Sequence, residues 1–324
     1  MGELPIGVMY RRENPPENLT AYARLAERLG YDELWLVEDC FFASGIASAA
    51  AAAAATERLT IGLGILPAAF RNPAVTAMEL ATLGRMFPGR IRAGLGHGVT
   101  DWVRQVGAAH PSPLAVLGET VEAVRALLAG GTVSVSGRHA NLAGVALEYP
   151  PEPAPPVAMG VRNVRSLRLS GRSADGTVLA EGASSRYVSW ARERIDEGRR
   201  DAGRTDPHRL TVYAQFDLDE SATDARRELA GWVLRSLPAA DDDVASTVAD
   251  LLRAHPDPAD LAEALPEELV DRFAVAGTGD RCAAAVRRLA AAGADAVVLA
   301  PPKDPQLAVA QITMAADELL PLLR

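Results

Sequence analysis

Residues 61–102 read IGLGILPAAFRNPAVTAMELATLGRMFPGRIRAGLGHGVTDW, which is a strand, a turn, a helix, a second strand and a second turn in immediate succession. Ile61–Leu66 is an apolar run closed by Pro67. Pro73–Phe87 carries apolar residues at helical spacing, with Asn72 placed to cap it and Pro73 at its first position. Pro88-Gly89 stops that helix, Ile91–Leu95 forms the next strand, and Gly96-His97-Gly98 follows at once. Glycines at the carboxyl ends of two consecutive parallel strands let a ligand approach the backbone closely, so this block is expected to line a pocket.

The same alternation runs outward in both directions. Strands are expected near Ile6–Met9, Glu33–Val37, Leu59–Leu66, Ile91–Leu95, Val157–Gly160, Thr177–Ala180, Leu210–Phe216 and Ala296–Ala300. Helical patterns lie between them near Glu17–Leu29, Ile46–Thr56, Pro73–Phe87, Pro113–Ala129, Val164–Arg172, Ser184–Ala202, Ala222–Arg235 and Arg281–Ala292, with a last one near Pro305–Leu322. Strands alternating with helices in this number predict an α/β fold, a (β/α)8 TIM barrel, with a doubly wound open sheet as the alternative. The chain is read as one domain, 1–324, with two insertions. Residues 131–150, polar and apolar by turns around Ser136-Gly137, predict a hairpin before the fifth strand, and the Pro-rich run Pro150–Pro156 leads back to the barrel. Residues 238–271 form an acidic helical stretch after the seventh strand, in a position from which insertions cover or line the site.

Composition narrows the function classes. The chain has 324 residues, 48% hydrophobic and 23% charged, enough to bury a substantial core. A net charge of −9 and the absence of any Lys/Arg run speak against nucleic acid and against an anionic membrane surface as partners. Lys303 is the single lysine, which leaves little room for Schiff-base chemistry. Cys40 and Cys282 form neither a CxxC pair nor a disulfide framework, and no metal site is expected. The chain enters an apolar strand at PIGVMY with no basic region and cleavage site before it, so a cytoplasmic protein is expected. Ile46–Ala55 is mostly alanine and far short of the roughly 20 residues of a membrane span.

The elements IGLGILP, R-N-P-A-V, P-G-R-I, G-L-G-H-G and A-D-G-T-V-L-A recur in an order that resembles the luciferase-like flavin and deazaflavin oxidoreductase superfamily, over nearly the whole chain. The F-R-N-P-A-V form and the G-H-G-V-x-x-W stretch are more similar to its coenzyme F420-dependent branch than to its FMN monooxygenases. The resemblance implies the barrel already inferred. It also implies a non-prolyl cis peptide at Gly64-Ile65, in a bulge that backs the cofactor ring. Gly96, His97 and Gly98 are implied around that ring. Gly160, Val161, Arg162 and Asn163, where the fifth strand meets a helix N-terminus, are implied at the phosphate tail, with Arg162 and Arg165 in reach. The matching loop after the sixth strand is Ala180, Glu181, Gly182, Ala183 and Ser184. Some F420 enzymes carry a lysine there; this loop has none, which leaves its backbone and Ser184.

Sugar-phosphate dehydrogenases of the F420 branch place a histidine directly after the aspartate that ends the second strand and a glutamate after the G-x-G of the fourth. Here those positions read Asp39-Cys40 and Gly98-Val99. By resemblance, oxidation of glucose 6-phosphate by that route is excluded. A reductase needs only one proton from a side chain or water once hydride has been delivered. The candidate donors are His97, Cys40, Asp39 and Glu38. His97 has the natural pKa for the task, or else it hydrogen-bonds the cofactor. Phe41, Phe42 and Phe70 either shape an apolar substrate face or simply pack.

The reading is therefore an F420H2-dependent reductase acting on an activated C=C or C=N bond of a small or medium-sized, or peptide-derived, substrate. Within the branch this spans a pterin carrier, an imine such as a pyrroline, and a dehydroamino acid in a modified peptide. An FMNH2-dependent monooxygenase and a non-catalytic cofactor binder are the alternatives. A homodimer paired through helices near the second and third strands is also implied, and the Ala-rich helix permits close contact.

Overall fold

The runs IGVMY (Ile6–Tyr10) and AVVLA (Ala296–Ala300) are apolar throughout and buried at every position, as strands covered on both faces must be. In the computed structural model, which describes residues 4–234, 237 and 239–324, eight such segments pair in parallel. They are Ile6–Tyr10 (β1), Glu33–Leu36 (β2), Thr60–Pro67 (β3), Ile91–Gly96 (β4), Val157–Gly160 (β5), Gly176–Leu179 (β6), Arg209–Asp217 (β7) and Ala296–Ala300 (β8). Each pairs with the next, and β8 returns to β1 with Val297 opposite Ile6, so the sheet closes into a (β/α)8 barrel rather than an open sheet.

The helices form where caps and periodicity place them. The helix Pro73–Met86 starts with the Asn72 side chain accepting a hydrogen bond from the Ala74 backbone N–H at 2.9 Å. The Ala-rich helix Gly45–Ala54 buries Ala49, Ala52 and Ala53 in the main apolar cluster between strands and helices. Among the described residues no helix is long and apolar enough to cross a membrane.

A separate cluster fills the barrel axis, made of Met9, Trp35, Val178, Tyr213, Val298 and Ala300. Below it, at the amino ends of the strands, the buried Glu33 carboxylate accepts from Trp35 Nε1 at 2.8 Å and pairs with Arg92 at 3.1 Å and Arg209 at 2.7 Å. That end is filled, and the opposite, carboxyl end is left for a site.

Four local features differ from the sequence expectation or extend it. The hairpin is present as Val133–Ser136 against Asn141–Val145, its turn held by three backbone N–H groups donating to the Glu119 carboxylate. The turn expected after β4, read as far as Trp102, gives way to the short helix Thr100–Gln105. Ala274–Ala276 adds a small parallel strand to the end of β7, Gln215–Asp217. The helix expected over Ala222–Arg235 is regular only over Thr223–Glu228 and widens to a π turn over Leu229–Val233; Arg235, and Pro238 where the acidic insertion was expected to begin, lie outside the described residues. The helical insertion is thus longer than the expected 238–271: the described residues from Ala222 to Ala276 pack an apolar cluster of their own around Leu229, Leu261, Val270 and Phe273.

Candidate active site

The carboxyl ends of all eight strands converge on one cavity of about 620 Å3. Met9, Arg11, Arg12 and Glu13 come from β1 and its loop, Val37 and Asp39 from the segment that follows β2, Gly64 and Ile65 from β3, and His97, Gly98 and Val99 from the turn after β4. Gly160–Asn163 follow β5, Val178, Ala180 and Glu181 belong to β6 and its loop, Tyr213 to β7, and Lys303 follows β8. Glu228 reaches the cavity from the helical insertion.

The wall at β3 is a bulge. Leu63 pairs with Ala93 but Leu66 pairs with Leu95, so three steps along β3 oppose two along β4. The Gly64-Ile65 bond within it is cis, as the sequence resemblance implied. Gly64 is required by its neighbour: a Cβ there would sit 1.7 Å from the Tyr213 hydroxyl. The glycines of β4 and β5 have a role the sequence reading did not foresee. A Cβ on Gly96 would lie 2.8 Å from Ile65 Cγ1, and one on Gly160 would lie 2.5 Å from Ile65 Cγ2. The space they leave is taken by Ile65, not by a ligand at the backbone; Gly96 does not line the cavity, whereas Gly98 and Gly160 do.

The four candidate proton donors separate cleanly. His97 is half-buried at the cavity, its Nδ1 has no partner among the described residues, and burial pushes its pKa below that of an ordinary histidine, against a smaller upward pull from hydrogen bonding with the Pro113 backbone. Its resting form at neutral pH is the uncharged imidazole. Asp39 lines the cavity in an ion pair with Arg12. Glu38 does not: its oxygens accept from the Gly45 N–H at 2.6 Å and from Arg71 at 2.6 and 2.8 Å, and Arg71 is bound in turn by Glu79 at 2.7 Å. Cys40 also lies off the cavity, and burial, with Asp39 and Glu38 beside it, pushes its thiol pKa up. Alternation continued past the end of β2 explains the split of the carboxylates: Trp35 points into the barrel axis and Val37 and Asp39 follow it in phase, while Glu38 turns away; Cys40 already belongs to the turn that follows.

At the opposite side the implied phosphate residues divide too. Gly160, Val161, Arg162 and Asn163 line the cavity at the start of the helix Val164–Ser173, and the Arg162 carbonyl accepts from the Tyr187 hydroxyl at 2.7 Å. Arg165 is exposed and does not line the cavity. Ala180 and Glu181 line the cavity; Gly182, Ala183 and Ser184 do not. The Ser184 hydroxyl is taken up internally, accepting from the Tyr187 N–H at 3.0 Å and donating to Asp241 at 2.7 Å.

Several lining residues were missed by the sequence reading. Arg11, Arg12 and Glu13 stand directly after β1, a position equivalent to that of Asp39 after β2, and that equivalence was the available signal. Lys303, the single lysine, pairs with Glu228 at 2.8 Å, and nothing in the sequence indicates that partner. The charges of the cavity balance, with Arg11, Arg12, Arg162 and Lys303 against Glu13, Asp39, Glu181 and Glu228. At its rim the Arg12 guanidinium stands 5.3 Å from the ring centres of both Phe42 and Trp102.

Comparison with known proteins agrees with this architecture. The 5,10-methylenetetrahydromethanopterin reductase of Methanolobus tindarius is 27% identical over 93% of this chain and 95% of its own length. An F420-dependent glucose-6-phosphate dehydrogenase of Nocardia farcinica is 27% identical over 93% of each chain. The solved coenzyme F420-dependent tetrahydromethanopterin reductase of Methanopyrus kandleri superposes over the full length of both chains with a TM-score of 0.86 at 21% identity, which shows the shared fold. The family model for luciferase-like monooxygenases matches residues 4–296. Barrel, bulge and sequence match together place this chain in the luciferase-like monooxygenase family.

Proposed function

We propose that this chain is a coenzyme F420-dependent oxidoreductase working as a reductase, which delivers hydride to an activated C=C or C=N bond of a small or medium-sized metabolite. The observation that carries the reductive direction is the pair of positions where the sugar-phosphate dehydrogenases of the branch hold their acid and base. Here one is Cys40, turned away from the cavity, and the other is Val99, an apolar residue lining it. The sugar-phosphate route takes the hydroxyl proton with a base at such a position, so that route is closed to this chain, and the proton of a reduction comes from another group at the cavity.

The cavity suits the cofactor. Its floor of Ile65, Val178 and Tyr213 offers a largely apolar face to a flat ring, and Arg162, beside the N-terminal end of the helix Val164–Ser173, offers a cation and the positive end of a helix dipole to a phosphate. When bound, reduced F420 supplies the hydride from C5 of its deazaflavin. The chain's own residues position and protonate. His97 and Asp39 are the two donor candidates that face the cavity, Arg12 compensates the Asp39 charge, and the apolar floor keeps water from the ring face. Pairing of two chains through the helices Gly45–Ala54 and Pro73–Met86 belongs to the same proposal, supported by the exposed Val75, Met78 and Met86 on the second helix, and sedimentation tests it.

The test is F420H2 oxidation in the presence of cyclic imines and enones on one hand, and F420 reduction by glucose 6-phosphate on the other. Turnover with an imine or enone and none with the sugar phosphate is expected. Turnover with glucose 6-phosphate alone would reverse the assignment.

A further inference from the structure

The helical insertion reaches the candidate site through a buried carboxylate. Asp241 is fully buried, and its Oδ1 accepts from Arg272 at 2.7 and 3.1 Å and from the Ser184 hydroxyl at 2.7 Å. Its Oδ2 has no partner among the described residues. A carboxylate in so dry a place persists only because Arg272 compensates it. Ser184 ends the loop after β6, and its hydroxyl also accepts from the N–H of Tyr187, whose phenol donates to the Arg162 carbonyl in the loop after β5. The insertion bears on the same loop a second time: Gly182 has a φ of +79°, and a Cβ there would lie 2.4 Å from Val233 Cγ1. A continuous chain of contacts therefore runs from Arg272 to both loops at the phosphate end of the cavity, and none of it touches the bulge or His97.

We infer that Asp241 is a positioning residue: clamped by Arg272, it holds the loops Ala180–Ser184 and Gly160–Asn163 in the arrangement that binds the phosphate-bearing tail of the cofactor. The inference rests on the F420 reading above. Ser184 does not itself bind the phosphate; it transmits the insertion's hold. The insertion is then a brace for one end of the cofactor, and its loss affects the tail and spares the ring.

Two ligands separate these ends: F420, and its deazaflavin–ribityl core without the phospholactate–glutamate tail. Calorimetric titration of wild-type protein and Asp241→Ala is the experiment. The variant is expected to weaken F420 binding on the order of tenfold, in line with other supporting-residue losses, while binding of the tail-less core changes by less than about twofold. Equal weakening of both ligands, or of neither, overturns the inference. Failure of the wild-type protein to bind F420 overturns instead the reading on which it rests. Should Asp241→Ala not fold, Ser184→Ala cuts the tie while leaving Asp241 paired with Arg272, and the same split between the two ligands is expected of it.

Discussion

The two halves of the cavity mouth are built differently. Around β2 to β4 the shape comes from side chains of the barrel strands and the residues that directly follow them: Ile65 fits because Gly96 and, on β5, Gly160 leave it room, Gly64 fits under Tyr213 of β7, and Asp39 faces inward because it is in phase with Trp35. Around β5 to β8 the loops are held from a distance, by Asp241 and Arg272 of the insertion, by Tyr187 bonding to Arg162, and by Glu228 bonding to Lys303. The first half is specified by side-chain volume within a few residues of a strand end. Apart from the Tyr187 bond, the second depends on contacts that exist only after the insertion has packed.

Substitutions in the first half should therefore act through fit. The largest effect is expected of Gly64→Val. Its Cβ would overlap the Tyr213 hydroxyl, so cofactor binding should be lost along with about 3 kcal/mol of stability, read by titration and by urea unfolding. The milder Gly64→Ala should be partly rescued by Tyr213→Phe; additive losses would show that the two sites are uncoupled.

Next in size is Glu38→Ala. It leaves the half-buried Arg71 with Glu79 alone, and a loss of about 3 kcal/mol is expected of a broken, largely buried pair. Cofactor affinity should hold, because Glu38 does not line the cavity. A stable Glu38→Ala protein with abolished turnover would instead return Glu38 to the chemistry.

His97→Ala is expected to slow turnover on the order of 100-fold, the usual worth of a positioned proton donor. The pH dependence gives the sign. A donating imidazolium must carry its proton, and burial sets its pKa below the ordinary 6.5, so the wild-type rate should climb as pH falls through that lowered value. The variant should lack this limb; an unchanged profile would leave His97 with a cofactor contact alone. The smallest effect belongs to Cys40→Ser, whose turnover should stay within about twofold across pH, since the thiol lies off the cavity with its pKa raised.

The contrast also explains what could be read in advance. All eight barrel strands stand where apolar runs and turn residues placed them, and the Gly64-Ile65 cis bond is where the resemblance put it. The strand Ala274–Ala276 escaped notice because three residues carry no periodicity, and it exists only as a partner for the end of β7. Within the site, Glu38 and Cys40 stand beside Asp39 in sequence, but alternation continued from β2 turns Glu38 outward, and Cys40 lies in the turn beyond. Arg12 and Glu13 were equally accessible from their place after β1. Glu228, Asp241 and the internal use of Ser184 were not, because each depends on how a helical segment folds back over the barrel.

The central claim, a deazaflavin site at the barrel mouth, is tested most directly by titrating the purified protein with F420 and with FMN in parallel, following fluorescence quenching. Dissociation constants in the micromolar range or below for F420, with FMN bound far more weakly, are predicted. Preferential binding of FMN, or binding of neither, would contradict it.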